Sequence, residues 1–215
     1  MSKSNKYGYS GVDIPTQAFQ ANVGKFDPAE INELVANDQW TQYGQLEHLL
    51  TQTISSATAD FTALQETTYN VHLFTFTDIH FANQSEFGYK LSNDNASSYE
   101  TGYQFANQRG ISNGSFAERK STSQNSARLC GDIDAGTHSL ANGYLYLYNA
   151  GDSTKYTFST SHFVFMDASD NQAFEFGNQV YNHAEQIHAI RFGLGVSTTA
   201  ITSATISLYG IKEYS

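Results

Sequence analysis

The segment IHAIRFGLGVSTTAITSATISLYGIKEYS, Ile187 to Ser215, decides the fold class. It reads as two strands joined by a polar turn. By the two-residue pleat, Ile190, Phe192 and Leu194 share one face of the first strand. In the second, Ala204, Ile206 and Leu208 share a face, while Ser203, Thr205, Ser207 and Tyr209 point the other way. A pair with one apolar and one polar face closes a two-layer β structure, so an all-β sandwich is expected.

Working outward, the same alternation predicts strands near 46–54, 69–81, 86–92, 99–106, 143–149, 154–166, 187–194 and 203–212. About eight strands suit two packed sheets. Leu73, Phe74 and Phe76 make the second of these apolar on both faces, the mark of a central strand. Asn142-Gly143 carries a type I′ hairpin signal, and Asn149 to Asp152 reads as a four-residue loop, giving a three-strand meander. Residues 107–139 are rich in Gly, Ser, Asn and Arg with weak periodicity, and read as a long surface excursion suited to contacting another chain.

One helix is signalled. Asp27 is a suitable N-cap, Pro28 suits the first helical position, Glu30 completes a capping-box pattern, and Ile31, Leu34 and Val35 share a face, so a helix is expected over 28–37. Before it, Tyr7, Tyr9, Val12, Ile14, Phe19, Val23 and Phe26 are scattered among Gly, Ser, Gln and Asn without a period. Large apolar side chains in such a segment suggest an arm that docks to a neighbour. The expected organisation is an N-terminal attachment arm with a short helix, 1–43, followed by a β-sandwich domain, 44–215.

Composition supports this plan. A chain of 215 residues can bury roughly 70% of its unfolded surface, enough for one core without metals or disulfides. Tyr and Phe, numbering 14 and 15, favour strands. The net charge of −10 argues against nucleic acid and anionic membranes as partners. No apolar run approaches the ~20 residues of a membrane-spanning helix, and the first residues lack the apolar core of a signal peptide, so cytosolic synthesis is expected. Cys130 is the lone cysteine and can form no disulfide within the chain.

Motifs that could support catalysis are weak. Gly110-Ile111-Ser112-Asn113-Gly114 fits the nucleophile-elbow pattern, with Asp132, Asp134 and His138 downstream, yet no strand-turn-helix context surrounds it. A polar turn is the expected reading. His183, Glu185 and His188 lack the four-residue spacing of a zinc helix, and His72 and Asp78 are too far apart along a strand to share an ion, leaving Asp78 with His80 as the one conceivable pair. Asp132/Asp134 and Asp167/Asp170/Asn171 lack calcium-loop spacing. No cofactor, metal or catalytic residue is therefore expected. Tyr144, Tyr146 and Tyr148 share one strand face, with Leu145 and Leu147 on the other. If the leucines point inward, the tyrosines form an outward row that fills an oligomer interface or stacks on glycan rings; if not, they are core.

The phrases ITSATIS and ISLYGIK, the stretch KYGYSGVDIPTQAFQANVGKFDPAEINEL (Lys6 to Leu34), YNVHLFTF (Tyr69 to Phe76) and GYLYLYNAGDSTKY (Gly143 to Tyr156) resemble jelly-roll-like virion proteins of tailed bacteriophages, T7-like and other marine and cyanobacterial phages among them. The resemblance implies a structural, non-enzymatic protein of the virion, made in the bacterial host cytoplasm: a head decoration or fibre protein, or a tail surface protein. It implies other virion proteins as partners, docked through the arm residues above, and a homo-oligomer, with a trimer by analogy. A host-surface glycan-binding module of a phage fibre is the alternative.

Overall fold

From Leu46 onward, alternating apolar and polar side chains produce strands that are antiparallel throughout. The computed structural model describes residues 32–33, 46–194 and 200–212. The chain divides into two units, Met1–Gln45 and Leu46–Ser215. In the first, Asn32 and Glu33 are helical; the rest of the helix expected over 28–37, and the arm residues Tyr7, Tyr9, Val12, Ile14, Phe19, Val23 and Phe26, lie outside the described residues.

The second unit is an all-β sandwich of two sheets. Its strands are β1 (Leu46–Ile54), β2 (Ala59–Phe61), β3 (Val71–Phe81), β4 (Ser85–Ser92), β5 (Tyr103–Ile111), β6 (Phe116–Gln124), β7 (Ala127–Ile133), β8 (Ala141–Tyr148), β9 (Tyr156–Met166), β10 (Gln172–Ala184), β11 (Ala189–Leu194) and β12 (Ile201–Ile211). The large sheet has eight strands in the order β1-β12-β3-β8-β9-β10-β5-β6, and the small sheet has four, β2-β11-β4-β7. β3 sits between β12 and β8, which agrees with its apolar sequence.

The core lies between the sheets and is built on phenylalanine. From the small sheet Phe87 and Phe192, and from the large sheet Phe74, Phe76 and Phe163, are all buried. The Phe76 ring centroid lies 4.9 Å from that of Phe192, 5.2 Å from Phe163 and 5.4 Å from Phe87, mostly edge to face. Rings at these separations and angles add to the gain from burial alone.

The C-terminal segment corrects one expectation. The predicted faces hold: Ile190 and Phe192 are buried, as are Ala204, Ile206 and Leu208. The two strands do not form a hairpin. β11 lies in the small sheet between β2 and β4, and β12 in the large sheet between β1 and β3, so the two strands belong to different layers. Alternation identifies a strand's buried face but does not identify its partner.

The Asn142-Gly143 turn is also corrected, because both residues lie within β8, opposite Val164 and Phe163. Asn142 Oδ1 accepts the Asp78 N–H at 3.0 Å, where the β3 register shifts and Asp78 has φ of 56°. A side chain at Gly143 would stand 2.4 Å from the His162 carbonyl oxygen. The dipeptide serves a bulge and a close backbone approach. The expected meander is therefore replaced. Only its second hairpin holds, as β8 pairs with β9 and the turn at Asn149 to Asp152 is closed by the Asp152 N–H donating to Asn149 O at 3.1 Å, while the other neighbour of β8 is β3 and the consecutive run continues instead into β10.

The surface excursion over 107–139 is overturned. That stretch supplies the second half of β5, all of β6 and all of β7, and in β7 Ala127, Leu129, Cys130 and Ile133 are fully buried. Its polar composition reflects ion pairs inside the fold. The strand expected over 99–106 is β5, displaced to Tyr103–Ile111, and β2, β6, β7 and β10 add to the eight expected strands.

Candidate functional site

β9 and β10 reverse the usual polarity of a strand pair. On the inner face Thr157, Ser159, Ser161, Glu175 and Gln179 are buried, while the outer face exposes Phe158, Val164 and Phe176. Neighbouring strands continue that outer face through four ladder rows. One runs Asn142, Val164, Phe174, Gly110, Phe116. The next runs Thr51, Ser207, Thr75, Tyr144, His162, Phe176, Gln108, Glu118. The third runs His48, Tyr209, Leu73, Tyr146, Thr160, Asn178, Ala106, Lys120, and the fourth runs Leu46, Ile211, Val71, Tyr148, Phe158, Val180, Gln104.

The large side chains in these rows touch. Tyr144 packs edge-on against Tyr146 at 5.8 Å and His162 at 6.0 Å, and His162 bridges to Phe174 and Phe176, both at 6.3 Å. Phe174 stacks on Phe176 at 6.1 Å, and Tyr146 on Tyr148 at 6.3 Å. Gly110 leaves room for this layer: a Cβ there would stand 2.4 Å from the Phe174 ring and 3.1 Å from Phe116. All seven exposed large apolar side chains among the described residues belong to this face. They are Tyr144, Phe158, Val164 and Phe176 in the middle of the sheet and Leu46, Phe116 and Tyr156 towards its margins.

Tyr144, Tyr146 and Tyr148 therefore form the outward row, with Leu145 and Leu147 buried beneath, and the reading of the tyrosines as core is excluded. What sequence reasoning missed is the remainder of the face, Phe158, His162, Val164, Phe174 and Phe176. The available signal was the Ser/Thr-rich parity Thr157, Ser159, Ser161 opposite Phe158.

Grooves lined by described residues open on the face. One, of about 690 Å³, is floored by Phe158 and Val180 and flanked by Gln104, Lys120, Thr122 and Asn178. Two of about 330 Å³ lie beside Phe176 and beside Tyr144 with Val164.

Beneath the face lies a buried polar network. Asn107 donates to Glu175 Oε1 at 3.0 Å and to the Arg128 carbonyl at 3.1 Å, and Gln179 donates to Asn107 Oδ1 at 3.2 Å and to Ser161 Oγ at 3.1 Å. Ser159 links Gln179 to the Tyr89 hydroxyl. Arg109 contacts Asp132 at 2.5 Å and Asp167 at 3.4 Å; Arg119 also bonds Asp132, and Arg128 bonds Glu86. Arg128 and Arg119 come within 3.8 and 3.9 Å of Glu175. Burial pushes the Glu175 carboxyl above its ordinary value, against the pull of Asn107 and the three arginines.

The weaker motifs take ordinary places. Ser112 lies in the β5–β6 turn, its N–H donating to Gln172 O at 2.9 Å, and Asp132 is engaged by two arginines. His72 is buried against the Leu64 carbonyl at 2.7 Å, and burial lowers its pKa. His80 bonds Thr202, and His188 bonds Glu66 at 2.7 Å. Asp167 Oδ1 accepts the N–H groups of Ser169 and Asn171. Among the described residues no three His, Cys, Asp or Glu side chains are placed to hold a metal ion, and no helix is long and apolar enough to cross a membrane.

The arrangement offers an aromatic surface whose four rows carry one carboxylate and one ammonium, Glu118 and Lys120, over a hydrogen-bonded polar network beneath β9 and β10. No protein-family model matches the chain, and no curated protein matches it.

Proposed function

We propose that this protein is a structural component of a tailed-phage virion. Its sandwich associates with further copies of itself through the outer face of the large sheet, and residues 1–26 attach it to a capsid or tail protein. The supporting observation is that every exposed large apolar side chain of the described residues is gathered on that one face, while beneath β9 and β10 Thr157, Ser159, Ser161, Glu175 and Gln179 are buried. Soluble monomers rarely expose a contiguous apolar patch of this kind.

Two features favour a second copy as the occupant. Eight strands about 4.8 Å apart, crossed by four rows, span on the order of 800 Å², what one partner contributes to a standard stable interface. The chain carries a net charge of −10, yet the four rows hold only one carboxylate and one ammonium, Glu118 and Lys120. Like-charged copies approach best through such a neutral face. The phage assignment rests on the sequence resemblance alone. The test is light scattering on the purified protein together with particle assembly: self-association and incorporation that is lost on deleting residues 1–26 are expected, and a monomer at all concentrations overturns the reading.

A second reading, host-glycan binding, is favoured by the groove of about 690 Å³, where Phe158 is flanked by the amides of Gln104 and Asn178. Saturable binding on a glycan array, lost in Phe158→Ala, is its expected signature.

A further inference from the structure

The large sheet ends at β6, whose outer edge is unpaired among the described residues. The strand is regular only in part. Its register with β5 runs without interruption from Phe116 to Ser121, then shifts before Gln124, where the Ser123 N–H donates to Ser121 Oγ at 3.3 Å. The regular stretch is thus Phe-Ala-Glu-Arg-Lys-Ser, with Glu118 and Lys120 projecting from the outer face, 68% and 74% exposed and paired with each other at 2.9 Å within the chain, a pairing that the antiparallel register would exchange for contacts across the axis.

We propose that two copies of this chain pair β6 to β6, antiparallel, about a two-fold axis normal to the sheet at Arg119. The axis fixes the register. Outer faces stay on one side only when opposed residue numbers sum to an even value, and a centre at Arg119 sets Glu118 opposite the partner's Lys120, twice by symmetry, and Ala117 opposite the partner's Ser121. A centre at residue 118 or 120 would oppose two carboxylates or two ammonium groups. Charged edge residues ordinarily discourage pairing; in this register they attract. The two Arg119 side chains meet at the axis, but each points inward and is held by its own Asp132, near Glu175. The product is a continuous sheet of sixteen strands with the two aromatic faces side by side.

The inference is independent of the outer-face contact, which the edge pairing leaves uncovered, and the two differ in symmetry: a two-fold edge gives pairs, never an isolated trimer. Sedimentation over a concentration series tests it, using E118K, K120E and the double variant. Each single change places like charges opposite one another and is expected to weaken the pair at least about tenfold, and the double change to restore it. These side chains are exposed, so folding is unaffected, which circular dichroism checks. Mixed A117C and S121C proteins are expected to form a disulfide-linked heterodimer on mild oxidation. Association indifferent to both single changes, no association of the wild type, or no heterodimer overturns the proposal.

Discussion

Glu175 and Phe176 are consecutive in β10 and face opposite ways, the carboxylate fully buried and the phenyl ring 48% exposed. The usual rule would set them the other way round. Burying Glu175 is tolerable because Asn107 and the nearby arginines surround it. Exposing Phe176 beside Tyr144, Val164 and Phe158 becomes favourable once another surface covers them, so the inverted strand and the proposed assembly are two aspects of one arrangement.

If the outer face is the contact, the double change Tyr144→Ser, Phe176→Ser removes two exposed rings that both pack on His162. Stability of the subunit is expected to change by no more than about 0.5 kcal/mol per site, as for other surface substitutions. Self-association is expected to fall by tenfold or more, since buried aromatic anchors dominate interface energies. Light scattering beside thermal unfolding makes the comparison; an oligomer that survives both changes removes this face from the assembly.

Much of the large sheet was legible because it obeys alternation. β3, β8 and β12 show their faces through residues such as Phe74, Phe76, Ala204, Ile206 and Leu208. β7 was not legible: Arg128 and Asp132 make it look like a loop, and only the opposing Glu86, Arg109 and Arg119 explain how a strand with those charges is buried. β10 failed for the related reason that its inner side chains are Glu175 and Gln179. Pairing was equally hidden, since nothing within β11 or β12 specifies that they join different sheets. The tyrosine row was visible as a row, while its extension across β9 and β10 needed the cross-strand register.

Removing the buried carboxylate leaves Arg119 and Arg128 less compensated. Glu175→Ala is expected to cost about 3–5 kcal/mol in urea unfolding, the range for breaking a buried ionic contact. Its pH dependence has a definite sign. Burial raises the folded pKa above 4.5, so the folded state binds the proton more tightly; the associated stability is fully present below pH 4.5 and is lost as pH rises through the folded value. Glu175→Gln, neutral throughout, is expected to abolish that loss. A wild-type and variant difference that stays flat with pH sinks the assignment.

The Asp60–Arg191 pair has the opposite sign. Arg191 donates to both Asp60 oxygens at 2.6 Å, stacks over Tyr99 at 4.0 Å, and holds the Asp60 carboxyl below 3.8. Its contribution is present above that value and lost as pH falls through the folded pKa. The pair is about one-third exposed, so about 0.5–1 kcal/mol is expected. Asp60→Asn should flatten the acid limb of the stability curve, whereas Glu175→Gln acts at higher pH. Identical pH profiles for the two variants would show that neither group titrates as described.

Gly177 tests whether the polar layer is as tightly fitted as its distances suggest. It occupies the inner face of β10 between Glu175 and Gln179, and a Cβ there would stand 2.0 Å from Asn107 Oδ1 and 2.7 Å from the Ala106 carbonyl oxygen. Asn107 has little freedom to retreat, because its amide is bonded to Glu175, Gln179 and the Arg128 carbonyl together. Gly177→Ala is therefore expected to cost about 2 kcal/mol through overpacking and lost hydrogen bonds. The cycle with Asn107→Ala separates the side-chain clash from the backbone one: in the Asn107→Ala background the cost of Gly177→Ala should fall by at least about half, a coupling expected of residues in direct contact. Equal costs in both backgrounds would place the strain in the backbone at Ala106 and leave Asn107 free to move.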